Sequence, residues 1–202
     1  MRLSNSIVVG LLLILPGAAS GQVVALDGSI GRTGSSWRIS AAALGEVRLG
    51  SRVRLGAGAR VSRFGGDAKS YRTHDPRPAG LASRIRLAPE VWALNLFVSA
   101  ELNLVGPIGA GANIDLAGVA TGPSQQVGSV RLAPARGSLF QYGDNDRGSL
   151  NSEFYLSLRA GQNLRLRAGA SHYVTGYRVT SGQEPRYLRF DTVPFIALRW
   201  AP

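Results

Sequence analysis

Cysteine is absent from the 202-residue chain, and lysine occurs once, against 22 arginines. The lack of cysteine excludes a disulfide framework, a thiolate zinc site and thiol chemistry. The formal net charge of +11 would suit a nucleic-acid-binding protein, but such proteins gather their basic residues on one face or in runs. Here the arginines are scattered through apolar segments, which indicates arginine inside a folded structure and no nucleic-acid partner.

Disordered and collagen-like chains are excluded as well. Apolar residues make up 45% of the sequence, too many for a disordered tail. The 26 glycines follow no G-X-Y period, and together with 10 prolines they favour a β-rich chain with many turns. The length fits one domain, or at most two small ones.

The first 21 residues have the pattern of a secretory signal peptide. Arg2 is followed by an apolar run at residues 7–15, then Pro16 and a series of small residues that ends at Gly21. The apolar run is about half of the roughly 20 residues that a membrane-spanning helix needs. We therefore predict a signal peptide at 1–21, cleaved after Gly21 or one residue earlier, and a mature domain at 22–202. The alternative is a buried N-terminal helix, although no helical period continues beyond Gly21.

A two-residue period organises the rest of the chain. In the segment 92–105, Trp92, Leu94, Leu96 and their alternate neighbours are apolar, while the residues between them are largely polar. Similar alternation occurs at residues 37–49, 52–64, 108–116, 153–159, 164–173 and 188–200, and more weakly at 22–32. These segments are typical of β-strands with one apolar and one polar face.

The length of these strands and the charges on their polar faces favour a membrane barrel. They exceed the roughly 5 or 6 residues usual in soluble domains and suit the roughly 9 to 11 needed to cross a bilayer. The polar faces carry both signs of charge, which indicates an enclosed, paired interior. The acids are Glu46, Glu101, Asp115, Glu153 and Asp191, and the arginines are Arg38, Arg48, Arg54, Arg60, Arg159, Arg165, Arg167, Arg189 and Arg199. A soluble sandwich with its charges outside would give the same alternation.

Short and long connections alternate along the chain. The short ones lie at residues 50–51, 106–107 and 161–163, and the long polar ones at about 65–90, 122–149 and 179–186. Outer-membrane barrels place short turns in the periplasm and long loops outside. The strand at 37–49 then needs a strand before it, which residues 22–32 supply, with a first outer loop at 31–36. The prediction for residues 22–202 is an outer-membrane β-barrel, all-β, eight-stranded, antiparallel, up-and-down and transmembrane, with Trp200 at the periplasmic interface.

Two segments resemble a known family. Residues 111–118 (GANIDLAG) and 143–155 (GDNDRGSLNSEFY) are similar to small outer-membrane β-barrel proteins of Bacteroidetes-type bacteria, with specificity confined to about the last hundred residues. The resemblance implies an eight-stranded barrel of the OmpA/OmpX size class. The family carries no agreed activity or catalytic residues, so it implies none for this chain.

Two histidines and one acidic loop are the features that could carry chemistry. A lipid-cleaving triad needs a nucleophile, a base and an acid; His172 lies on an apolar face and Glu184 follows, but Val174 stands where a His-x-Ser pattern has its serine. We interpret His172 as an interfacial residue and His74 as a solvated loop residue. The run 143–148 resembles half of a calcium loop without its closing Glu, so a turn with local Asp bonding is favoured. Inward glycines at 56, 58, 109, 111 and 169 are expected to make room for arginine side chains.

The sequence therefore predicts a small integral outer-membrane β-barrel with a structural or surface-interaction role and a polar, filled interior. No catalytic, cofactor-binding or metal-ligating residue is predicted, and no cofactor. Expected partners are outer-membrane lipids, lipopolysaccharide and the barrel-assembly machinery, with a monomeric state and an unidentified extracellular partner. The alternatives are a small-solute pore, an outer-leaflet lipid-modifying enzyme and a soluble periplasmic lipid-binding barrel.

Three structural details are predicted as well. The face that holds Leu94, Leu96, Val98 and Leu102 should contact lipid. Glu101 and Glu153 should be ionised and paired with inward arginines, because an unpaired charge shielded from water is very costly. Eight strands enclose a lumen that side chains can fill, so conduction of porin size is not expected.

Overall fold

The computed structural model describes residues 23–73, 82–141, 146–180 and 185–202, and over these ranges the chain is all-β. The predicted signal peptide at 1–21 lies outside the described residues, as do His74 and Glu184. None of the described residues forms a helix long and apolar enough to cross a membrane. The described strands are β1 (Val23–Thr33), β2 (Ser36–Leu49), β3 (Val53–Gly65), β4 (Lys69–Arg72), β5 (Arg84–Leu87), β6 (Glu90–Val105), β7 (Ile108–Thr121), β8 (Gln125–Val127), β9 (Val130–Pro134), β10 (Gly137–Leu139), β11 (Leu150–Arg159), β12 (Leu164–Val179) and β13 (Arg186–Trp200).

Eight of these strands form a closed antiparallel barrel in the order β1-β2-β3-β6-β7-β11-β12-β13. The ring closes because β13 pairs with β1 over a register that runs from Leu26 opposite Trp200 to Gly31 opposite Phe195. Closure leaves no unpaired sheet edge in the wall. The predicted eight-stranded antiparallel barrel is confirmed.

The two ends of the barrel differ in their connections. At the end that we call the turn end, β2 joins β3, β6 joins β7 and β11 joins β12 through short turns. Gly50 and Gly106 lie in these turns with φ of 65° and 55°, a left-handed conformation that glycine adopts without steric cost. The long connections lie at the opposite end, the loop end. The exception there is the β1–β2 turn, which is shorter than the predicted 31–36 loop because β1 extends to Thr33 and β2 begins at Ser36.

Apolar side chains cover the outside of the barrel and charged side chains fill its inside. The outward-facing Leu96, Leu156 and Ile196 are 59%, 62% and 65% exposed, whereas the inward-facing Arg38 and Arg199 are 0% and 1% exposed. A soluble sandwich would show the opposite arrangement. The sequence assigned the faces correctly, including the outward face of β6.

Two strands run further than the alternation indicated. In β7 the alternation is broken by a bulge between the pairs Leu96–Ala117 and Phe97–Asp115, which leaves Leu116 without a partner. Because of the bulge, the consecutive residues Leu116 and Ala117 both lie on the outer side of the wall, and Gly118 lies on the inner side again. The two-residue alternation is therefore interrupted, although β7 continues to Thr121. β12 similarly continues past Tyr173 to Val179.

Where the structure describes them, the long connections contain further strands. The β4–β5 hairpin pairs with β13, the β8–β9 hairpin pairs with β12, and β10 pairs with β7. Together they bury an aromatic and aliphatic cluster at the loop end, here called the cap. Its main members are Phe64, Tyr71, Ile85, Leu87, Val91, Leu132, Tyr173, Tyr177, Tyr187 and Val193.

The inward glycines do not make room for arginine as expected. A Cβ added at Gly111 would come within 2.7 Å of Tyr155 Oη, and one at Gly58 would collide with Leu44 and the β2 backbone. At Gly109 the same atom would lie 2.7 Å from Ser157 Oγ and 3.1 Å from Glu101 Oε1. The space beside these glycines is therefore occupied by Tyr155, Leu44 and the backbone of the neighbouring strands. The nearest atoms at these positions do not belong to arginine side chains.

Candidate functional site: the charged barrel interior

The barrel interior holds two linked groups of ion pairs, and the one nearer the loop end is centred on Glu153 of β11. Its carboxylate lies 2.8 Å from Arg38 Nη2 of β2 and 2.9 Å from Arg60 Nη1 of β3. Arg60 also binds Asp115 of β7. All four side chains are at most 2% exposed, so each charge depends on the others for compensation. The predicted pairing of Glu153 is confirmed.

Amide side chains supply the remaining hydrogen bonds of this group. Asn95 Nδ2 donates to Asp115 Oδ2 at 2.8 Å and to the carbonyl oxygen of Ser149 at 2.9 Å. Asn113 Nδ2 donates to Glu153 Oε2 at 2.6 Å, and the backbone N–H of Asn151 donates to Asp115 Oδ2 at 2.9 Å. The two carboxylates are thus bonded by both arginine and amide groups, an arrangement that fixes their orientation.

Glu101 of β6 is the centre of the second group, nearer the turn end. Its Oε1 atom lies 2.5 Å from Arg54 Nη2 and 2.9 Å from Arg165 Nη1, and it accepts a hydrogen bond from Ser157 Oγ at 2.7 Å. The predicted pairing of Glu101 is confirmed. Because one oxygen serves two guanidinium groups, this part of the lumen carries more positive than negative charge.

Arg199 of β13 joins Glu101, whose Oε2 atom lies 3.9 Å from its Nη1 atom, to acids of β1 and β2. Its Nη1 atom lies 2.6 Å from Glu46 of β2, and its Nε atom lies 2.9 Å from Asp27 of β1, which also binds Arg167. Asp27 and Arg199 face each other directly in the β1–β13 register. Asp27 was not identified from the sequence as a paired acid. Its position opposite Arg199 depends on the pairing of β1 with β13, which the sequence does not show.

Aromatic rings fill the space between the charges. The guanidinium carbon of Arg167 lies 4.5 Å from the centroid of Tyr155, and that of Arg60 lies 4.9 Å from the centroid of Phe97. Arg38 lies 5.5 Å from the centroid of Phe195. These distances are within the range of cation–π attraction. The lumen is therefore packed with paired charges and rings.

The acids of the two interior groups are bound by arginine side chains. A general acid or base must reach a reacting proton, whereas Asp27, Glu46, Glu101, Asp115 and Glu153 each bind guanidinium groups inside the wall. Within the described ranges, no three His, Cys, Asp or Glu side chains are grouped so as to hold a metal ion. The paired side chains fill the lumen and connect the strands of the wall to one another.

His172 lies on the outside of the wall, as the sequence indicated. Its Nδ1 atom is 2.8 Å from Thr192 Oγ1, and its ring stacks on Phe190 with the centroids 5.6 Å apart. Ser152 is its direct neighbour across the β11–β12 pair. No acid among the described side chains contacts His172, so the third member of a triad is not found in that part of the chain.

The acidic loop contributes to local backbone bonding. Asp146 Oδ1 accepts a hydrogen bond from the backbone N–H of Gln141 at 2.7 Å. Gly148 follows with a φ of 79°, a conformation that glycine permits. Residues 142–145, which include the other oxygen donors of the half calcium loop, lie outside the described residues. The observed bonding is that expected of the turn interpretation.

Tryptophans mark both ends of the apolar exterior. Trp37 and Trp92 lie at the loop end with Arg63 between them, its guanidinium carbon 5.3 and 5.1 Å from the two ring centroids. Trp200 lies near the turn end, half-exposed and opposite Leu26. Aromatic residues at both edges of an apolar band are typical of membrane barrels.

The chain is similar in fold to solved outer-membrane proteins. Neisserial surface protein A has 17% identity and a TM-score of 0.40, covering 90% of this chain and 97% of that one. A major outer membrane protein from Thermus thermophilus has 10% identity and a TM-score of 0.38, covering 90% and 99%. OmpT of Vibrio cholerae has 12% identity and a TM-score of 0.25, covering 87% and 64%. These TM-scores are too low to carry an inference, so the fold rests on the strand pairing of this chain.

No family model and no curated protein matches the sequence. The resemblance to barrels of Bacteroidetes-type bacteria stays a prediction.

Proposed function

We propose that this chain is an integral outer-membrane β-barrel whose role is structural or interactive, with a filled lumen and no catalytic site. The observation that carries the proposal is the distribution of polarity, with a closed wall that is apolar outside and holds paired charges inside. Only a hydrocarbon surrounding makes such an exterior favourable, because an apolar patch of this extent is rare on soluble monomers. Closed barrels are one of the two structures that can cross a bilayer, since every backbone group in the wall is paired.

The same distribution argues against a soluble lipid-binding barrel. A lumen that binds an acyl chain must be apolar, but this lumen is lined by buried charges such as Arg38, Glu153 and Arg199. Displacing their partners with hydrocarbon would leave several charges uncompensated, at a cost of several kcal/mol each.

A pore is disfavoured because two successive layers occupy the lumen. The ion pairs fill its middle, and the cap covers the loop end with Tyr71, Tyr177, Tyr187 and their neighbours. Barrels of about eight strands are just wide enough to be filled by side chains, whereas aqueous channels occur at about 16 strands. A lumen filled in this way favours a rigid barrel over a conducting pore.

Orientation and partners follow from the two ends. Short turns face the periplasm in barrels of this type, which would place the cap outside the cell. Exposed arginines line the β4–β5 hairpin of the cap, where Arg72 faces Arg84 in the register and Arg86 is close by. Guanidinium groups bind phosphate well, so this hairpin suits contact with lipopolysaccharide. We further propose that the barrel is monomeric, embedded in outer-membrane lipid and inserted by the barrel-assembly machinery.

The test is heat modifiability combined with cell fractionation. The protein extracted in detergent should migrate faster on a denaturing gel when it is not boiled, because the closed barrel stays compact, and it should sediment with outer membranes. Recovery of the mature chain in a soluble fraction without detergent would contradict the membrane assignment. Matching mobilities with and without boiling would contradict the closed barrel.

A further inference from the structure

The lumen has a surplus of positive charge at the turn end. Arg48 faces Arg54 across β2 and β3, and Arg159 faces Arg165 across β11 and β12. Like charges directly opposite each other on neighbouring strands are destabilising. The fold nevertheless places two such pairs at the same mouth of the barrel.

Both pairs line one cavity. It has a volume of about 280 Å³, and its wall includes Arg48, Arg54, Arg159 and Arg165, with Asn103 and Gln162 beside them. Five of these six side chains come from the ends of strands β2, β3, β6, β11 and β12, and Gln162 comes from the β11–β12 turn. The cavity is therefore built on the barrel wall itself and on one of its short turns.

The available acids leave two of these arginines uncompensated. Glu101 binds Arg54 and Arg165, while Glu46 is bound to Arg199. Arg48 and Arg159 form no ion pair with any residue that the structure describes, and both side chains are exposed to the mouth. The cavity thus presents two free guanidinium groups next to two that share one carboxylate.

We propose that this cavity is a binding site for a phosphate-bearing anion. Two uncompensated positive charges match the double charge of a phosphomonoester or inorganic phosphate, and guanidinium groups bind phosphate oxygens in pairs. Gln162 adds an amide group that can donate to further oxygens. Asn103 Nδ2 already donates to the carbonyl oxygen of Ser51 at 2.9 Å and has one further N–H to offer. The volume is at the lower limit of about 300 Å³ for small-molecule pockets, which suits a headgroup or a small phosphate compound. The phosphate is either a soluble compound reaching the mouth or the headgroup of a lipid in the adjacent leaflet.

The site makes an unusual prediction for stability. Without ligand, Arg48→Gln combined with Arg159→Gln should leave the barrel at least as stable as the wild type, because the substitutions relieve like-charge repulsion. With inorganic phosphate or glycerol phosphate, the wild type should gain thermal stability and the double variant should not. A merely structural role for these arginines predicts the opposite, a loss of stability without ligand.

The experiment uses the refolded full barrel in an uncharged detergent, titrated at constant ionic strength with chloride as the balancing anion. Loss of a charge-assisted hydrogen bond should weaken binding by about tenfold or more for each arginine removed. The matched control is Arg32→Gln with Arg136→Gln, two exposed arginines at the loop end, which should keep wild-type affinity. The single variants Arg48→Gln and Arg159→Gln give the same comparison if the double variant does not refold.

Nanodiscs distinguish the two sources of phosphate. If the ligand is soluble, glycerol phosphate should bind equally well in discs of phosphatidylcholine alone and in discs that contain phosphatidic acid. If it is a lipid headgroup, phosphatidic acid should block soluble binding to the wild type. Absence of phosphate-dependent stabilisation in detergent and in both discs would overturn the proposal, as would an equal response of the wild type and the double variant.

Discussion

At the scale of single residues, three interior carboxylates, those of Asp27, Glu101 and Glu153, are each shared between guanidinium groups from different strands. Glu153 binds Arg38 and Arg60, and Glu101 binds Arg54 and Arg165. A buried ion pair adds little net stability compared with apolar packing, but removing one partner leaves a charge without compensation. The interior should therefore tolerate loss of a single member poorly.

We expect Glu153→Gln to lower the free energy of unfolding by about 3 to 5 kcal/mol, because Arg38 and Arg60 would each lose a buried partner. Denaturant-induced unfolding in detergent, followed by gel mobility, measures the change. The control is Glu90→Gln, which breaks an exposed pair with Arg63 and should cost about 0 to 1 kcal/mol. Similar stability of both variants would show that water penetrates the interior and screens its charges.

The outward face of β6 allows a test at matched positions on one strand. Leu96 lies near the middle of β6 and Leu104 near its turn end, and both are exposed on the outside. Arginine on a lipid-facing position costs about 2 to 4 kcal/mol at mid-membrane and about 0 to 1 kcal/mol near the interface. Leu96→Arg should therefore reduce the folded fraction in lipid vesicles much more than Leu104→Arg. Equal effects would contradict the membrane depth of β6.

A substitution of an inward-facing residue of β6, such as Asn95→Arg, is a poor control for Leu96→Arg, although the alternation alone would suggest it. Asn95 faces inward and is fully buried, and it donates to Asp115 and to the backbone at Ser149. Asn95→Arg would add volume and charge to a packed site, so it should be destabilising for reasons unrelated to lipid. The alternation gives the face of a residue, and its packing has to come from the structure.

At the scale of elements, the strands of the long connections act together as the cap. Tyr71 of β4 and Tyr177 of β12 pack edge to face with their ring centroids 5.4 Å apart. Tyr71 also shares a hydrogen bond with Thr175, and Tyr177 accepts one from the backbone N–H of Glu90. These contacts join the β4–β5 hairpin to the barrel.

The cap should weaken at alkaline pH. Burial raises the pKa of the Tyr71 phenol, in the β4–β5 hairpin, above its usual range. Since the folded pKa exceeds the unfolded value of about 10, this contribution is complete below about pH 10 and is lost as the pH rises through the folded pKa. Protease cleavage of the β4–β5 hairpin should therefore increase above about pH 10, in step with tyrosinate absorbance. In a variant with Tyr71→Phe and Tyr177→Phe, cleavage that still rises with the same pH dependence would assign the change to other groups.

At the scale of the whole molecule, closure of the wall and filling of the lumen depend on each other. The register from Leu26–Trp200 to Gly31–Phe195 closes the ring, and this closure brings Asp27 to Arg199 and Arg167. The ion pairs thus connect the first strand to the last two. A barrel held together in this way gains rigidity from its interior.

The protein reconstituted in a planar bilayer should show no stable conductance of porin size, because ion pairs, rings and the cap occupy the lumen. Removing the β4–β5 hairpin of the cap, by replacing residues 66–89 with a short glycine-serine turn, should leave the bilayer silent, since the Glu153 group still fills the middle. A stable open channel in the wild type would favour a pore. Opening only in the shortened variant would show that the β4–β5 hairpin closes the lumen and that the ion pairs do not.

The sequence by itself determined the wall of this protein. A side-chain period of two residues follows from the pleat of a strand, so the alternation in segments such as 92–105 divided each strand into an apolar and a polar face. The succession of short and long connections then gave the strand directions and the even count of eight. Glycine-containing turns such as 50–51 and 106–107 marked one end, because few residues adopt a left-handed conformation there. The alternation is interrupted where the regular pleat of the strand is interrupted, at the Leu116 bulge and in the long connections.

Only the tertiary structure decided which charges meet, where the lumen is closed and where positive charge is left over. Arg199 and Glu46 are 153 positions apart along the chain, and Arg167 and Asp27 are 140 apart. Contacts across a lumen depend on the stagger of all eight strands at closure, which no local pattern contains. The free guanidinium groups of Arg48 and Arg159 appear for the same reason, because the acids that could have neutralised them are bound elsewhere in the ring.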